Sequence, residues 1–214
     1  MSSWHDFFPQ FLPGLWVTLK LTFAGLFFGL PTGILLAVVT TSPVRLAKWA
    51  GIVVVELGRG SPGLIVLYLA YYGLPQAGLT LGAFTAATVA VSFTTGAYTS
   101  EIFRAGLIAV PRGQREASRA LGLSPWKELR LVVLPQALRI VIPPIIGWAI
   151  ILYQGTSLAY AISVPELLSR AYNAGSITFQ FGSALALAGL MYAVVSLTAT
   201  ALAGWTRSRV ATQG

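Results

Sequence analysis

The residues with the most chemistry fall into two groups. Arg112, Arg115, Glu116 and Arg119 recur at i, i+3, i+4 and i+7, a spacing that puts four charges on one helical face. Glu56 and Arg59 stand three residues apart inside an otherwise apolar stretch, where ionisable groups are costly and point to function. Neither group is a catalytic constellation. The chain has one histidine, His5, no cysteine, and six acids spread along its length. A nucleophile with a basic partner, or a metal site, needs clusters that this sequence lacks, which argues against an enzyme. What remains is recognition. The charged helical face offers contact to another surface. Glu56 and Arg59 either neutralise each other and fix packing, or Glu56 lies on the path of a cationic group. Glu56 is the only acid expected well inside a helix. A second polar cluster, Trp148, Tyr153, Gln154, Thr156 and Ser157, closes another apolar stretch.

The elements that must position these residues are membrane helices. Only 9% of residues are charged and mean hydropathy is +0.75, whereas a water-soluble domain carries about 25% charged residues to wet its surface. About five stretches are long and apolar enough to span a bilayer. They run from roughly Trp16 to Val39, Trp49 to Leu74, Leu81 to Phe103, Pro135 to Tyr153 and Phe181 to Trp205. Gly25, Gly29, Gly33, Pro31, Pro62, Pro143 and Pro144 lie within them, and small residues of this kind allow close helix packing. Lys20 is expected to extend its ammonium outward from the first stretch. Nothing basic precedes it, so the N-terminus does not read as a cleavable signal peptide.

The net charge of +8 would suggest nucleic acid in a soluble protein, but its placement suggests topology. Arg45 and Lys48 follow the first stretch, while Arg104, Arg112, Arg115, Arg119, Lys127, Arg130 and Arg139 flank or fill the loop after the third. Arg207 and Arg209 follow the fifth. All face the cytoplasm if the N-terminus is outside and the C-terminus inside. The chain therefore reads as all-α, a single polytopic membrane domain over residues 1–214 with a cytoplasmic loop at about 104–134.

That loop reads as two short helices. Ala117, Ala120 and Leu121 give the first a small apolar face, and Gly122 takes the helix-stopping C′ position. Ser124 and Pro125 open a second helix expected to end before Pro135. A groove on another protein and the lipid surface are both open as partners for such a face.

The run Glu116-Ala117-Ser118-Arg119-Ala120-Leu121-Gly122, nine residues, then Val132-Val133-Leu134-Pro135, resembles the EAA loop of ABC importer permeases. Ser118 stands for the second alanine of that pattern and Val132 for its isoleucine. Arg59-Gly60-Ser61-Pro62, Gly96-Ala97-Tyr98, Glu101-Ile102-Phe103-Arg104, Val110-Pro111-Arg112-Gly113-Gln114 and Thr156-Ser157-Leu158 are similar to the polar amino-acid uptake subgroup, the histidine/glutamine/arginine type. The resemblance covers nearly the whole chain.

It implies a type I importer permease fold in the cytoplasmic membrane of a prokaryote. It also implies a second permease, identical or homologous, two cytoplasmic ATPases and an extracytoplasmic amino-acid-binding protein. Glu116, Ala117, Ser118, Arg119, Ala120 and Gly122 would form the contact through which ATP drives alternating access. ATP and magnesium would be held by the ATPases, since no G-x-x-x-x-G-K-[ST] loop occurs here. Glu56, Arg59, Trp148, Gln154, Thr156 and Ser157 are candidates for the substrate path. The subgroup pattern N-x-x-I-x-L-x-K-D-T-S-L is altered: Gly147 replaces the asparagine, Gln154 the lysine and Gly155 the aspartate. Either the cargo is not a basic amino acid, or another permease completes the pocket, or the binding protein carries the specificity. An ion-coupled carrier or channel is the alternative from another class.

Overall fold

The computed structural model describes residues 3–211, with side chains for residues 4–204. Arg207 and Arg209 lie outside the residues whose side chains are described. Among the described residues there is no strand, and each apolar stretch is helical. The helices are α1 (Ser3–Thr40), α2 (Arg45–Gly60), α3 (Gly63–Tyr68), α4 (Ala83–Ala109), α5 (Arg112–Ala120), α6 (Pro125–Glu128), α7 (Leu134–Gly155), α8 (Leu167–Thr178) and α9 (Phe181–Ala211). Among the described residues three segments, within α1, from α6 through α7, and within α9, are long and apolar enough to cross a membrane individually. α2 and the segment opened by α3 qualify together as a bent fourth. α4 has the length, but Ser92, Thr94, Thr95, Thr99 and Ser100 make it less apolar, and Ser92, Thr95, Thr99 and Ser100 are buried.

α1 and α4 form the central pair. Gly25, Gly29 and Gly33 repeat every four residues on α1 and meet Val91, Thr95 and Thr99 of α4. A methyl group added at Gly29 would lie 2.5 Å from the Thr95 Cβ, so only glycine permits this approach. Lys20 reaches away from this seam and sits 5.4 Å from the Trp16 ring.

Four segments depart from the sequence expectation. α1 begins at Ser3 and not near Trp16, because Phe7 and Phe11 stack at 5.7 Å and are buried against α8 and α9. The second stretch is no straight helix: its axis turns by 107° between Arg45–Gly60 and Gly63–Ala77. Pro62 has no N–H to continue the ladder and holds Ser61 extended, at φ −83° and ψ 136°. The helix opened by Pro125 also does not end before Pro135. It continues through a π-helical turn, Leu129–Val133, into α7. There Leu134 N–H bonds to Leu129 C=O, and this shift of register just ahead of Pro135 absorbs its missing donor.

The fourth departure is α8, which lies between the fourth and fifth expected stretches, where no helix is expected. Its N-cap is Glu166, fully buried, whose carboxylate accepts from Ser169 N at 2.6 Å and Leu168 N at 2.8 Å. Tyr192 of α9 donates to the same carboxylate at 2.7 Å, and Leu167 N donates to Thr18 Oγ1 of α1 at 3.2 Å. These bonds fasten α1, α8 and α9 into one unit.

Candidate functional site

Three places gather the sequence-derived candidates. The first is the hairpin of α5 and α6. Its turn is a Schellman closure: Gly122 N–H donates to Arg119 C=O at 2.9 Å and Leu123 N–H to Ser118 C=O at 3.1 Å. Gly122 has φ +74°, a left-handed backbone that glycine adopts without strain. Ser124 takes the N-cap backbone conformation with Pro125 after it, although its hydroxyl makes no cap bond. Arg119 Nε donates to Glu128 Oε2 at 2.8 Å and ties the two short helices together. That guanidinium holds the Glu128 carboxyl below the usual glutamate range, and the carboxylate in turn raises Arg119. Ser118 is buried, with its hydroxyl donating to Arg115 C=O. Arg115 Nη2 donates to Leu107 C=O at 2.8 Å, which fixes α5 to the last turns of α4.

The hairpin's outer surface is bare. Glu116, Ala117 and Ala120 are exposed, and at its tip Leu121 is 81% and Trp126 67% exposed. A tryptophan and a leucine held out by a rigid turn are anchors of the kind that fill a partner's pocket. Trp126 was not among the sequence candidates, because a lone aromatic after Pro125 carries no periodic signal of its own.

The second place is a charged ladder between α2 and α4. Arg59 lies 3.9 Å from Glu56 and 4.0 Å from Glu101, and Arg104 pairs with Glu101 at 2.6 Å. Glu56, Glu101 and Arg104 line a cleft with Lys48, Thr40 and Thr41. Glu56 is thus not the only acid inside a helix. α4 runs on to Ala109, past the expected end at Phe103, and carries Glu101 within it. The i, i+3 spacing of Glu101 and Arg104 was the available signal.

The third place adjoins the ladder. The Arg59 guanidinium carbon lies 5.8 Å from the Tyr98 ring centre, Tyr98 OH donates to Arg59 C=O at 3.2 Å, and Tyr98 stacks on Trp148 at 4.1 Å and 18°. Beside Trp148 a cavity opens between α3, α4, α7 and the 3-10 turn Thr156–Ile162; Gly63, Thr94, Gly155 and Thr156 line it. Gln154 is elsewhere, donating to Ser196 Oγ of α9 at 3.2 Å. The Thr156 and Ser157 hydroxyls donate to Tyr153 C=O and Gln154 C=O on the preceding turn. Arg59, Trp148 and Thr156 therefore come together with Tyr98, while Gln154 is drawn toward α9.

Residues 29–212 match the protein family described as binding-protein-dependent transport system inner membrane component. The chain is 35% identical over 193 residues to the probable amino-acid ABC transporter permease protein YckA of Bacillus subtilis, covering 90% of this chain and 85% of that one. It is 37% identical over 193 residues to the arginine transport system permease protein ArtQ of the same organism, covering 90% and 88%. Its fold is similar to the crystal structure of an amino acid ABC transporter with histidines, at a TM-score of 0.91 and 32% identity, over 95% of each chain.

Proposed function

From the premise that the chain belongs to the family of binding-protein-dependent transport system inner membrane components, and is a multi-pass permease subunit of an ABC importer, we propose that it moves a polar amino acid or a close analogue. The work is done by alternating access, an equilibrium between inward-open and outward-open states that ATP biases through separate subunits. The N-terminus lies outside and the C-terminus inside the cytoplasmic membrane of a prokaryote, with about five spans. A second permease copy or homologue completes the path, two cytoplasmic ATPases bind and hydrolyse ATP with magnesium, and an extracytoplasmic binding protein delivers the cargo.

The observation that carries this reading is the α5–α6 hairpin. It is rigid from within, through the Gly122 turn and the Arg119–Glu128 bond, and is anchored to α4 by Arg115. A push on it reaches α4, and with it Glu101 and Arg104 of the charged ladder. Glu116, Ala117, Ala120, Leu121 and Trp126 offer the ATPase a surface of small and apolar groups bordered by charge. Ser118, Arg119 and Gly122 hold the shape of that surface. Glu56, Arg59, Trp148 and Thr156 belong to the cargo path, Ser157 sits in the chain between the cavity-lining Thr156 and Leu158, and Gln154 supports α7 against α9. Relatives named for amino-acid transport support the cargo class. Family membership displaces an ion-coupled carrier as the alternative.

The test is coupling in proteoliposomes containing the whole transporter. Gly122→Val, which forces a β-branched residue into a left-handed backbone, and Glu116→Lys, which reverses a charge on the docking face, are expected to lower cargo uptake per ATP at least tenfold while the chain stays inserted. Unchanged coupling in both variants refutes the docking role.

A further inference from the structure

We propose that the cavity between α3, α4 and α7 receives the cargo's side chain, that it is built for an uncharged one, and that Gly155 sets this preference. The proposal rests on the reading of the chain as an amino-acid permease and adds to it the class of amino acid.

The cavity's volume is about 110 Å³, which suits a single small or branched side chain. Its wall is made by Gly63, Leu67, Ala90, Val91, Leu152 and Ala159 together with Thr94, Trp148 and Thr156, and none of the lining residues is ionisable. The two threonine hydroxyls are already committed. Thr94 donates to Ala90 C=O at 3.0 Å and Thr156 to Tyr153 C=O at 2.7 Å, leaving their weak acceptor capacity, while Trp148 on the same wall carries a buried, uncharged Nε1–H without a hydrogen-bond partner. A charged side chain entering here would give up its water and meet no counter-ion, which is the costly case for a buried charge.

Charge is near but kept out. Arg59, Glu56 and Glu101 do not line the cavity; between it and Arg59 lies the Tyr98–Trp148 stack. Gln154, one residue from the rim, is held toward Ser196 of α9. The mouth lies on the outer face of α7, where the rim residues Ile151 and Leu158 are 58% and 43% exposed. Through it a side chain can enter while the cargo's own ammonium and carboxylate stay outside the cavity.

Gly155 is where this preference can be changed. It lines the cavity, and a Cβ built on it meets nothing within 4 Å. Its backbone, at φ −65° and ψ −19°, suits any L-residue. An aspartate placed there would meet no neighbour at its Cβ and would bring to the rim the counter-ion the wall lacks.

The experiment uses the purified permease–ATPase complex without its binding protein, and equilibrium binding of radiolabelled leucine, glutamine, lysine and glutamate. The wild-type complex is expected to bind leucine or glutamine at least tenfold tighter than lysine or glutamate. Gly155→Asp is expected to raise lysine affinity at least tenfold and to lower that for leucine. Gly155→Asn, equal in size and uncharged, keeps the wild-type order. Lysine or glutamate bound as tightly as leucine by the wild type overturns the proposal, as does an identical response of the Asp and Asn variants. Cargo uptake by the whole transporter separates the two levels. If an amino acid is pumped but none binds the complex, the cavity proposal falls and the permease reading stands. If no amino acid is pumped with ATP, the reading itself falls.

Discussion

Single residues in this chain act mostly by holding something else in place. Arg119 shows why spacing alone misjudges them. In the sequence it shares a helical face with Arg112, Arg115 and Glu116, all four reading as outward contacts. In the structure Arg119 is turned to Glu128 and Arg115 to the Leu107 carbonyl, so two of the four charges brace the hairpin. Neither partner was visible, since both bonds depend on how α4, α5 and α6 fold back. The Arg119–Glu128 bond has a pH signature. Glu128 is held below its ordinary value, so the unfolded hairpin binds the proton more readily than the folded one. The stabilisation is complete above the ordinary glutamate pKa of about 4.3 and is lost as pH falls through the lower folded value. A nitroxide on Leu121→Cys should therefore be immobile at pH 7 and become mobile as pH falls below the ordinary glutamate range. In Glu128→Gln it should be mobile at every pH; equal spectra for the two proteins across that range would show that the bond does not hold the hairpin.

Elements carry the part of the design that the sequence displays best. Apolar length marks α1, α7 and α9, and Gly122 marks the end of α5 with a left-handed φ of +74°. What stayed hidden has a physical cause in each case. Pro135 looks like a terminator because its local effect is on the page and the compensating π turn is not. α8 is short and its cap is a glutamate, a residue that rarely caps; it is kept by the buried Glu166–Tyr192 bond, which joins residues far apart in sequence. The cargo-path candidates were legible as polar residues in apolar stretches, but Tyr98 and Glu101, which complete the site, lie on α4 and are joined to Arg59 of α2 only in the fold. The glycine repeat of α1 was read as a packing device, and the structure identifies its counterpart as the threonine face of α4. Gly33→Ala would press a methyl group onto Thr99, within 3.1 Å of the Gly96 carbonyl, and should cost about 1–3 kcal/mol, as overpacking does. Gly189 of α9 faces open space, and Gly189→Ala should be neutral or slightly stabilising. Thermal unfolding of the two variants in detergent checks the contrast, and equal melting temperatures would mean that α1 and α4 are not held by this seam.

At the scale of the whole molecule, the proposed function makes the arrangement a through-membrane lever. The hairpin lies at one end of α4, the charged ladder follows within α4 itself, and the Tyr98–Trp148 stack leads from there to the cavity. For ATP to act on the hairpin, that end must face the cytoplasm, which is also where the arginines and lysines collect. The turn after α3, Leu74–Ala77, and the stretch leading into α8 must then face outward, where a binding protein can reach them. The chain contains no cysteine, so single cysteines can report sidedness without background. Gln76→Cys and Lys127→Cys, both at exposed positions, separate the two faces when the chain is expressed without its ATPase. A membrane-impermeant maleimide applied to intact cells should label Gln76→Cys and leave Lys127→Cys unlabelled, and inverted vesicles should reverse the pattern. Labelling of both from one side would remove the lever, because the hairpin and the α3 turn would then share a face and the ladder would connect nothing across the bilayer. The reverse sidedness would leave the lever intact but point the hairpin away from any cytoplasmic ATPase.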